Sequence, residues 1–313
     1  MRRRTVLGAL LTLPFAAACS DSGGADGPQA SRSSGSAGPG TGTPTVPVAD
    51  LSTSVAALRR LEKRFGVRLG FWASDPSTGL VLGHRQDERF AMCSTFKTYA
   101  VAAVLKAHPL DSGLLDRRIR FTRADLVPHS PVTETRVDTG MTITELCRAA
   151  LLQSDNTASN ELLDILGGPS AVTSFARSIG DPATRLDRYE PELNEVTPGS
   201  LLDTTTPAGM AAGYRALLLG EALAPPERDR LTRWMKANRT GRDRIRAGLP
   251  RGWTAADKTG TGAYAAVNDV GVAWSPDGTP LVIAAFADKP AKNGSYEDRV
   301  LAEATEIAVK AFT

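Results

Sequence analysis

The chain has 313 residues, with 37 Lys and Arg against 34 Asp and Glu, which gives a formal net charge of +3 at pH 7. Three arginines at positions 2–4 account for that excess, so neither nucleic acid nor an anionic membrane surface is predicted as a partner. The histidines, His84, His108 and His129, lack the spacing of metal ligands, so no metal and no cofactor are predicted.

Residues 1–18 have the pattern of a signal peptide. Three arginines precede a short apolar run, and Ala16, Ala17 and Ala18 end the segment. The run is too short to cross a bilayer, which needs about 20 apolar residues, and the paired arginines resemble a twin-arginine signal. We therefore expect export by a Sec or twin-arginine route, to an extracellular position or to the outer face of the membrane.

Cys19 follows the three alanines in a context that resembles a lipoprotein cleavage site. The leucine that usually stands three residues before such a cysteine is missing, so both lipidation of Cys19 and a plain cleavage nearby stay open. Residues 19–49 are rich in Ser, Gly, Ala, Pro and Thr and offer little apolar surface to bury. They are predicted to form a flexible linker, which would hold the folded body away from a membrane.

The folded body is predicted at residues 50–313, a length that supports a substantial core. Asp50–Phe65 has apolar residues at helical spacing and is followed by Gly66, a natural helix stop. Two strands are predicted next, at Val67–Ala73 and Leu80–Gly83, joined by a turn that contains Pro and Gly.

The rest of the body is predicted as helices followed by a second hairpin. The pattern is mainly helical over about 94–235, broken by Gly and Pro. Strands are predicted at Ala265–Trp274 and Leu281–Ala287, and a closing helix at Tyr296–Phe312.

Strands at both ends with helices between them predict an α/β fold of the α+β type. One antiparallel sheet, from about 50–90 and 236–313, would be flanked by the terminal helices, with an inserted all-helical lobe at about 91–235. A cleft between the two lobes is the expected place for a small-molecule site. The body contains Cys93 and Cys147, too few cysteines for a disulfide scaffold, and we do not expect them to pair.

Ser94 begins a predicted apolar helix, with Lys97 one turn further on the same face. A serine at a helix N-terminus is most often only a cap. An inward lysine, however, needs a partner, because burial of an unpaired charge is costly. Once desolvated, such a lysine can serve as a base for the serine hydroxyl, and the positive helix end would face a developing oxyanion.

Three further motifs follow in order. Residues 154–156, Ser-Asp-Asn, indicate by themselves only a polar cluster after a predicted helix. Residues 188–195 form a loop that contains Glu190 and Asn194. Residues 258–260, Lys-Thr-Gly, precede a predicted strand and combine a point charge for a carboxylate with a glycine that allows close approach of a ligand.

Taken together, these four motifs resemble those of the class A β-lactamases, and the resemblance covers nearly the whole body. It implies the fold described above and hydrolysis of the β-lactam amide of penicillins and cephalosporins through an acyl-enzyme on Ser94, with antibiotic resistance as the result. It further implies that Ser154 passes a proton to the leaving nitrogen and that Glu190 activates the water that releases the product. Whether Lys97 or Glu190 deprotonates Ser94 stays open. A small-molecule β-lactam is the implied partner, and the enzyme is expected to be a monomer.

The resemblance also implies binding and structural roles. The backbone N–H groups of Ser94 and Thr261 would form the oxyanion hole, and Arg188 and Asp203 would close the ends of the Glu190 loop, while Asp155 is structural. The implied substrate-binding residues are Asn156, Asn194, Lys258, Thr259, Thr261 and Arg244.

Arg244 is included because the sequence departs from the usual family pattern. Many members carry an arginine on the strand after the Lys-Thr-Gly motif, where this chain has Val267. Arg244 resembles the alternative source in another subgroup, with Asp298 as the carboxylate that orients it. His129 stands where an aromatic residue often lies at the cleft rim, so the substrate preference is open.

Two alternatives share parts of the motif set. A peptidoglycan DD-peptidase or other penicillin-binding protein has the Ser/Lys, Ser-x-Asn and Lys-Thr-Gly parts, and a β-lactam sensor domain is acylated without efficient turnover. Glu190 argues against both. The carbapenem-hydrolysing subgroup pairs the cysteine before the nucleophile with a cysteine at the position of Gly262, so Cys93 lacks that partner.

Overall fold

The computed structural model describes residues 51–313. The predicted signal peptide, Cys19 and the whole of the predicted linker lie outside the described residues. The helices are α1 Ser52–Phe65, α2 Lys97–Ala107, α3 Ile143–Leu152, α4 Asn156–Leu166, α5 Pro169–Ser178, α6 Pro207–Leu218, α7 Pro225–Lys236 and α8 Asp298–Phe312. The strands are β1 Arg68–Ser74, β2 Val81–His84, β3 Phe90–Ala91, β4 Arg118–Ile119, β5 Met141–Thr142, β6 Thr204–Thr205, β7 Thr254–Gly262, β8 Ala266–Trp274 and β9 Pro280–Asp288.

Five strands form one antiparallel sheet in the order β2-β1-β9-β8-β7. The pairing of β1 with β9 sets Phe71 opposite Ala285, and so joins the two distant ends of the chain. Strand β7 lies at the edge and pairs only with β8 within this sheet, where Thr261 is opposite Val267. The predicted α+β fold is confirmed. The part at about 91–235, predicted as all-helical, is mainly helical but also contains the short strands of the pairs β4-β5 and β3-β6.

Each face of the sheet has its own apolar core. On one face, α1 and α8 contribute Leu58, Leu61, Val300 and Leu301 to a cluster that includes Val267. On the other face, the helices of the middle of the chain form a larger cluster. Because both faces are covered, β8 and β9 are buried along almost their entire length. The sequence of β9 is accordingly a nearly continuous apolar run, whereas that of β8 is interrupted by Asn268 and Asp269.

Helix α2 is the central helix of the helical part. Its residues from Lys97 to Leu105 are all buried, so its sequence shows no polar face. A helix packed on every side is held firmly by its neighbours, and Ser94 lies in the short 3₁₀ turn Cys93–Phe96 directly before it. The predicted nucleophile therefore lies on one of the most firmly packed elements of the molecule.

Two local predictions were wrong. Ser94 does not open the α-helix, because the first turn is 3₁₀ and α2 begins at Lys97. Lys258 does not precede a strand but lies inside β7, which pairs with β8 along its whole length. The small and polar residues of β7 gave no sequence pattern typical of a strand. The other predicted boundaries differ by one or two residues. Within residues 51–313, no helix has the length and hydropathy needed to cross a membrane.

Candidate active site

The segment that carries Ser94 is fixed from the sheet side. Asn268 on β8 donates hydrogen bonds from Nδ2 to the carbonyl oxygens of Ala91 (2.9 Å) and Met92 (3.2 Å). Gly260 on β7 packs against the same segment, since an added Cβ there would lie 2.7 Å from the Met92 carbonyl oxygen. Only glycine permits this close approach of β7 to the turn. The Ser94 hydroxyl donates to Glu190 Oε1 at 3.1 Å.

Lys97 is completely buried, and its ammonium has three close acceptors besides the more distant Ser154 Oγ. Nζ lies 2.8 Å from the Ser154 carbonyl oxygen, 2.6 Å from Asn156 Oδ1 and 3.1 Å from Glu190 Oε1. Burial lowers the pKa of Lys97, while the Glu190 carboxylate opposes this shift. A buried charge with this full set of acceptors is compensated, and Glu190 is its counter-ion.

Ser154 lies between two lysines. Its φ angle is +56°, in the left-handed region, and its Oγ lies 3.4 Å from Lys97 Nζ and 3.1 Å from Lys258 Nζ. Both ammonium groups can only donate, so the hydroxyl of Ser154 accepts from them and keeps its own proton for a third group.

The two residues that follow Ser154 hold the local structure. Asp155 is the N-cap of α4, since Oδ1 accepts from the backbone N–H of Ala158 at 2.9 Å. Its Oδ2 accepts from the backbone N–H groups of Val132 and Thr133. Asn156 accepts from Lys97 and donates from Nδ2 to the Pro128 carbonyl oxygen at 2.9 Å. Asp155 therefore ties the segment before α4 to α4 itself.

Glu190 is 1% exposed and is held at both its backbone and its side chain. Asn160 on α4 accepts from the Glu190 N–H (3.0 Å) and donates to the Glu190 carbonyl oxygen (2.9 Å). The peptide bond to Pro191 is cis. Asn194 donates from Nδ2 to Glu190 Oε2, while the buried Oδ1 of Asn194 accepts no hydrogen bond from residues 51–313. The carboxylate thus meets Ser94 and Lys97 at one oxygen and Asn194 at the other.

The loop that carries Glu190 is closed at its ends by Arg188 and Asp203. Arg188 Nε lies 2.6 Å from Asp203 Oδ2. The other oxygen of this carboxylate, Oδ1, accepts from the backbone N–H groups of Asp187 and Arg188 at 2.8 and 3.0 Å. This Arg188–Asp203 pair is called the clasp below. Asp203 is 1% exposed, so its carboxylate is protected from solvent, while the Arg188 side chain is 27% exposed.

Lys258 brings a second buried ammonium to the same side of the cleft. Its Nζ donates to Ser154 Oγ and, at 2.8 Å, to the Thr259 carbonyl oxygen. Burial, and after it the charge of Lys97, lowers the pKa of Lys258 well below the usual lysine value. Lys97, Ser154 and Lys258 are therefore joined by consecutive hydrogen bonds, from the start of α2 to β7.

Arg244 lies beside the end of β7. Its guanidinium donates to Asp298 Oδ1, to the carbonyl oxygens of Gly260 and Asn268 and to Thr261 Oγ1, each at 2.8 Å. Val267, opposite Thr261, is fully buried in the core beneath α1 and α8. The cation beside Thr261 is therefore supplied by Arg244 and not by position 267.

Two other positions noted in the sequence flank the site. His129 is exposed and has a φ angle of +62°, and its carbonyl oxygen accepts from the Asn156 N–H at 3.0 Å. Cys93 and Cys147 are buried free thiols. A Cβ added at Gly262 would lie 2.7 Å from Cys93 Sγ, so these two positions are in contact.

Sequence reasoning missed Asn160 and Asn268. Asn160 stands four residues after Asn156 and therefore on the same face of α4, a spacing that could have suggested it. Asn268 had no such signal, because only the sheet register brings it next to the segment before Ser94. Within the described part of the chain, no group of three or more His, Cys, Asp or Glu residues could hold a metal ion.

Comparisons with known proteins agree with this geometry. The family model described as the beta-lactamase enzyme family matches residues 53–312. The chain is 53% identical to beta-lactamase FAR-1 of Nocardia farcinica over 83% of each chain. It is 52% identical to beta-lactamase AST-1 of Nocardia asteroides, over 87% of this chain and 89% of the relative.

Solved structures show the same likeness. A β-lactamase from Desulfarculus baarsii superposes with a TM-score of 0.82 at 44% identity, over 84% of this chain and 98% of the other. A variant of the class A β-lactamase described as the last common ancestor of Gram-negative bacteria superposes with a TM-score of 0.80 at 50% identity, over 83% and 98% of the two chains.

Proposed function

The chain belongs to the β-lactamase enzyme family, as a class A serine enzyme that hydrolyses the amide bond of β-lactam antibiotics and so provides resistance, and we propose that Ser94 is its nucleophile. The observation that carries this assignment is the hydrogen bond from the Ser94 hydroxyl to Glu190 Oε1. A serine hydroxyl needs a base within hydrogen-bond reach before it can attack a carbonyl carbon. Glu190 is that base for acylation.

The proton taken from Ser94 has a short route to the leaving group. It passes from Glu190 to Lys97, 3.1 Å away, as Lys97 gives up a proton to Ser154. Ser154 in turn donates its own proton to the β-lactam nitrogen as the amide bond breaks. After this exchange Glu190 is again a carboxylate and Lys97 again an ammonium, so charge and protons balance.

The oxyanion of the tetrahedral intermediate is bound by backbone N–H groups of Ser94 and Thr261. Support comes from the fold: Ser94 lies at the N-terminal end of the helical segment that continues as α2, and β7 is an edge strand. On an edge strand, alternate N–H groups point away from the neighbouring strand and are open to a ligand. Preorganised donors of this kind stabilise the negative charge that develops on the carbonyl oxygen.

Deacylation requires water beside the ester carbonyl, and Glu190 with Asn194 binds it. Glu190 Oε2 accepts from Asn194 Nδ2, while the buried Asn194 Oδ1 accepts from no described residue. A buried acceptor is normally satisfied by protein or by ordered water. Glu190 removes a proton from this water as the water attacks the carbonyl carbon of the acyl-enzyme, and it passes that proton to Ser94 Oγ, its hydrogen-bond partner, as the ester bond breaks.

Substrate recognition is by the residues along β7 and α4. Lys258 and Arg244 provide positive charge for the substrate carboxylate, with the hydroxyl groups of Thr259 and Thr261 beside them. Asn156 binds the side-chain amide of the substrate. Penicillins and cephalosporins both carry the carboxylate and the amide that this arrangement fits.

Turnover of a chromogenic cephalosporin tests the function. We expect many turnovers per enzyme molecule by the full chain and none by Ser94→Ala. A single stoichiometric burst would indicate a sensor, and cleavage of a D-Ala-D-Ala peptide without cephalosporin turnover would indicate a peptidase. Either result would contradict the proposed function.

We further propose that the protein is exported and anchored by a lipid. The signal pattern of residues 1–18 supports export, and Cys19 at its end supports a lipid anchor on the outer face of the membrane, with residues 19–49 as the tether. All proposed site residues belong to one chain, which supports action as a monomer.

A further inference from the structure

A second cavity lies outside the catalytic cleft, beside the far end of the loop that carries Glu190. Its volume is about 600 Å³, a size typical of small-molecule sites. Its walls come from the second half of this loop, the turn between β7 and β8, the segment before β3 and the residues that follow β9. None of Ser94, Lys97, Ser154 and Lys258 lines it, so the cavity is distinct from the catalytic site.

The rim of this cavity presents apolar side chains to solvent. Leu201 and Leu202 line it and are 54% and 43% exposed. They are two of the four large apolar side chains that are exposed within residues 51–313, and they are consecutive in the sequence. Leu193 and Val196 add apolar surface to the same cavity. An exposed apolar patch beside a concavity is typical of a binding site, and an occupant with an apolar body would cover both leucines.

Three cations line the cavity, and two of them already have carboxylate partners. Arg68 donates to both oxygens of Asp288, from Nε at 3.1 Å and from Nη2 at 2.5 Å. Lys289 Nζ lies 2.9 Å from Glu297 Oε1. The charges of Arg68 and Lys289 are therefore compensated within the protein.

Arg89 is the third cation, and it has no carboxylate partner. Its Nη1 donates to the Ala183 carbonyl oxygen and to Thr204 Oγ1, each at 3.0 Å. No carboxylate oxygen of residues 51–313 lies within ion-pair distance of it, and its Nε and Nη2 donate no hydrogen bond to these residues. A guanidinium that is held at one nitrogen, with its other N–H groups free, can bind a carboxylate with two hydrogen bonds.

Thr204 connects this free charge to the apolar rim. Its hydroxyl accepts from Arg89 and donates to the Leu201 carbonyl oxygen at 2.7 Å. Thr204 is only 6% exposed, so this connection is largely protected from water. The structure therefore fixes one uncompensated positive charge next to an exposed apolar surface.

The cavity is also joined to the loop that takes part in catalysis. Leu193 lines the cavity, and the next residue, Asn194, donates to Glu190. Both belong to the 3₁₀ turn Glu192–Asn194. A molecule in the cavity would therefore contact this loop from outside the catalytic cleft.

We propose that this cavity binds a small amphipathic anion, a monocarboxylate with an apolar body. The carboxylate pairs with Arg89, and the apolar body covers Leu201 and Leu202. The inference goes beyond the proposed function, because no step of β-lactam hydrolysis uses these three residues. Neither an apolar molecule without charge nor a small anion without an apolar body matches both parts of the site.

Isothermal titration calorimetry of the full chain with decanoate, below its micelle concentration, tests the site. We expect saturable binding of one decanoate per chain and no measurable binding of acetate, which lacks the apolar body. Arg89→Gln should weaken decanoate binding about tenfold, the scale of a hydrogen bond to a charged group. Arg185→Gln is the matched control, because it removes an arginine of the same region that already pairs with Asp187, and it should bind as wild type.

Two further variants distinguish this cavity from the catalytic cleft. Leu201→Asp places a negative charge on the exposed rim without disturbing the core, and it should also weaken decanoate binding about tenfold. Arg244→Ala should leave the affinity unchanged. Weaker binding by Arg244→Ala but not by Arg89→Gln would place decanoate in the cleft and overturn the inference.

The inference would also be overturned if the wild-type chain showed no saturable binding, or if Arg89→Gln and Leu201→Asp bound decanoate as tightly as wild type. Calorimetry measures binding without turnover of a β-lactam. A failure of the proposed hydrolysis would therefore leave this test and its outcome unaffected.

Discussion

The hydroxyl of Ser94 and Oε1 of Glu190 are 3.1 Å apart, and this same carboxylate oxygen lies 3.1 Å from the ammonium of Lys97. Glu190 is therefore in direct contact with the nucleophile and with its counter-ion. Lys97 instead directs its protons at Glu190, Ser154 and Asn156. The Lys97 ammonium neutralises the buried Glu190 carboxylate, and this carboxylate is the group that can accept the Ser94 proton.

Arg244→Ala should raise the KM for β-lactams that carry a carboxylate. The substitution removes a charged donor beside Thr261, with a loss of about 1–3 kcal/mol in substrate binding. Val267 cannot compensate, because it is buried in the opposite core. Arg242→Ala, in the same turn but exposed, is the matched control. Equal kinetics for Arg244→Ala and the control would remove Arg244 from the binding site.

The KM for an anionic penicillin should begin to rise at a pH below the pKa of an ordinary lysine. Burial and the charge of Lys97 lower the pKa of Lys258, so its ammonium loses a proton at a lower pH than usual. As the pH rises through that lowered pKa, the KM of an anionic penicillin should increase. The KM of the corresponding methyl ester should not follow the same curve. A KM that stays constant up to the usual lysine pKa, about 10.4, would contradict a clamp that depends on Lys258.

Asp203→Ala should destabilise the protein by about 2–4 kcal/mol. The buried carboxylate accepts from Arg188 and from two backbone N–H groups, which lose their partner together. Glu195→Ala is the control, because Glu195 is an exposed partner of the same arginine at 3.4 Å and should contribute less than about 1 kcal/mol. Urea unfolding of both variants measures the difference in free energy. Similar midpoints for the two variants would show that the clasp contributes little.

The mature protein isolated from its native membrane should begin at Cys19 and carry a diacylglyceryl group on that thiol. Residues 16–18 supply the small side chains that precede such a site, and the linker that follows suits a membrane tether. Intact-mass and N-terminal peptide analysis identify both the start residue and the adduct. An N-terminus at any other residue, or an unmodified Cys19, would exclude the anchor.

The sequence predicted the nucleophile, the lysines and the loop carboxylate because these residues occur as local motifs. It also predicted most helices and strands, since their apolar spacing is local. Residues such as Asn268 and Asn238 could not be found in this way. Their partners, Met92 and Asp257, are distant in sequence and meet only through the register of β7 and β8 and the packing of α7. A single polar residue inside a strand or after a helix carries no signal of such a partner.

The extended conformation of Lys258 and Thr259 also could not be predicted from the local sequence. The stretch from Thr254 to Gly262 contains Ala, Gly and charged residues, which disfavour strands in isolation. Pairing with the buried strand β8 determines its conformation instead. Tertiary pairing therefore outweighs the low strand propensity of β7, the edge strand that borders the proposed substrate site.

Substitution of Glu190 should separate acylation from deacylation. Glu190→Ala should still react with a β-lactam, at a reduced rate because Ser94 loses its base, and should then accumulate as a covalent adduct. Deacylation is the more affected step, since water held by Asn194 alone has no group to take its proton. Ser94→Ala should form no adduct at all.

Intact-protein mass spectrometry after a brief incubation with a penicillin distinguishes these outcomes. Glu190→Ala should show the mass of the enzyme plus the intact antibiotic, while the wild-type enzyme should show mainly free protein and hydrolysed product. Glu192→Ala serves as the control, because it removes an exposed carboxylate from the same loop and should behave as wild type. Turnover by Glu190→Ala near the wild-type rate, with no adduct, would mean that another group activates the water. In that case the hydrogen bonds of Glu190 to Ser94 and Asn194 would be structural, and the base for deacylation would have to lie elsewhere in the cleft.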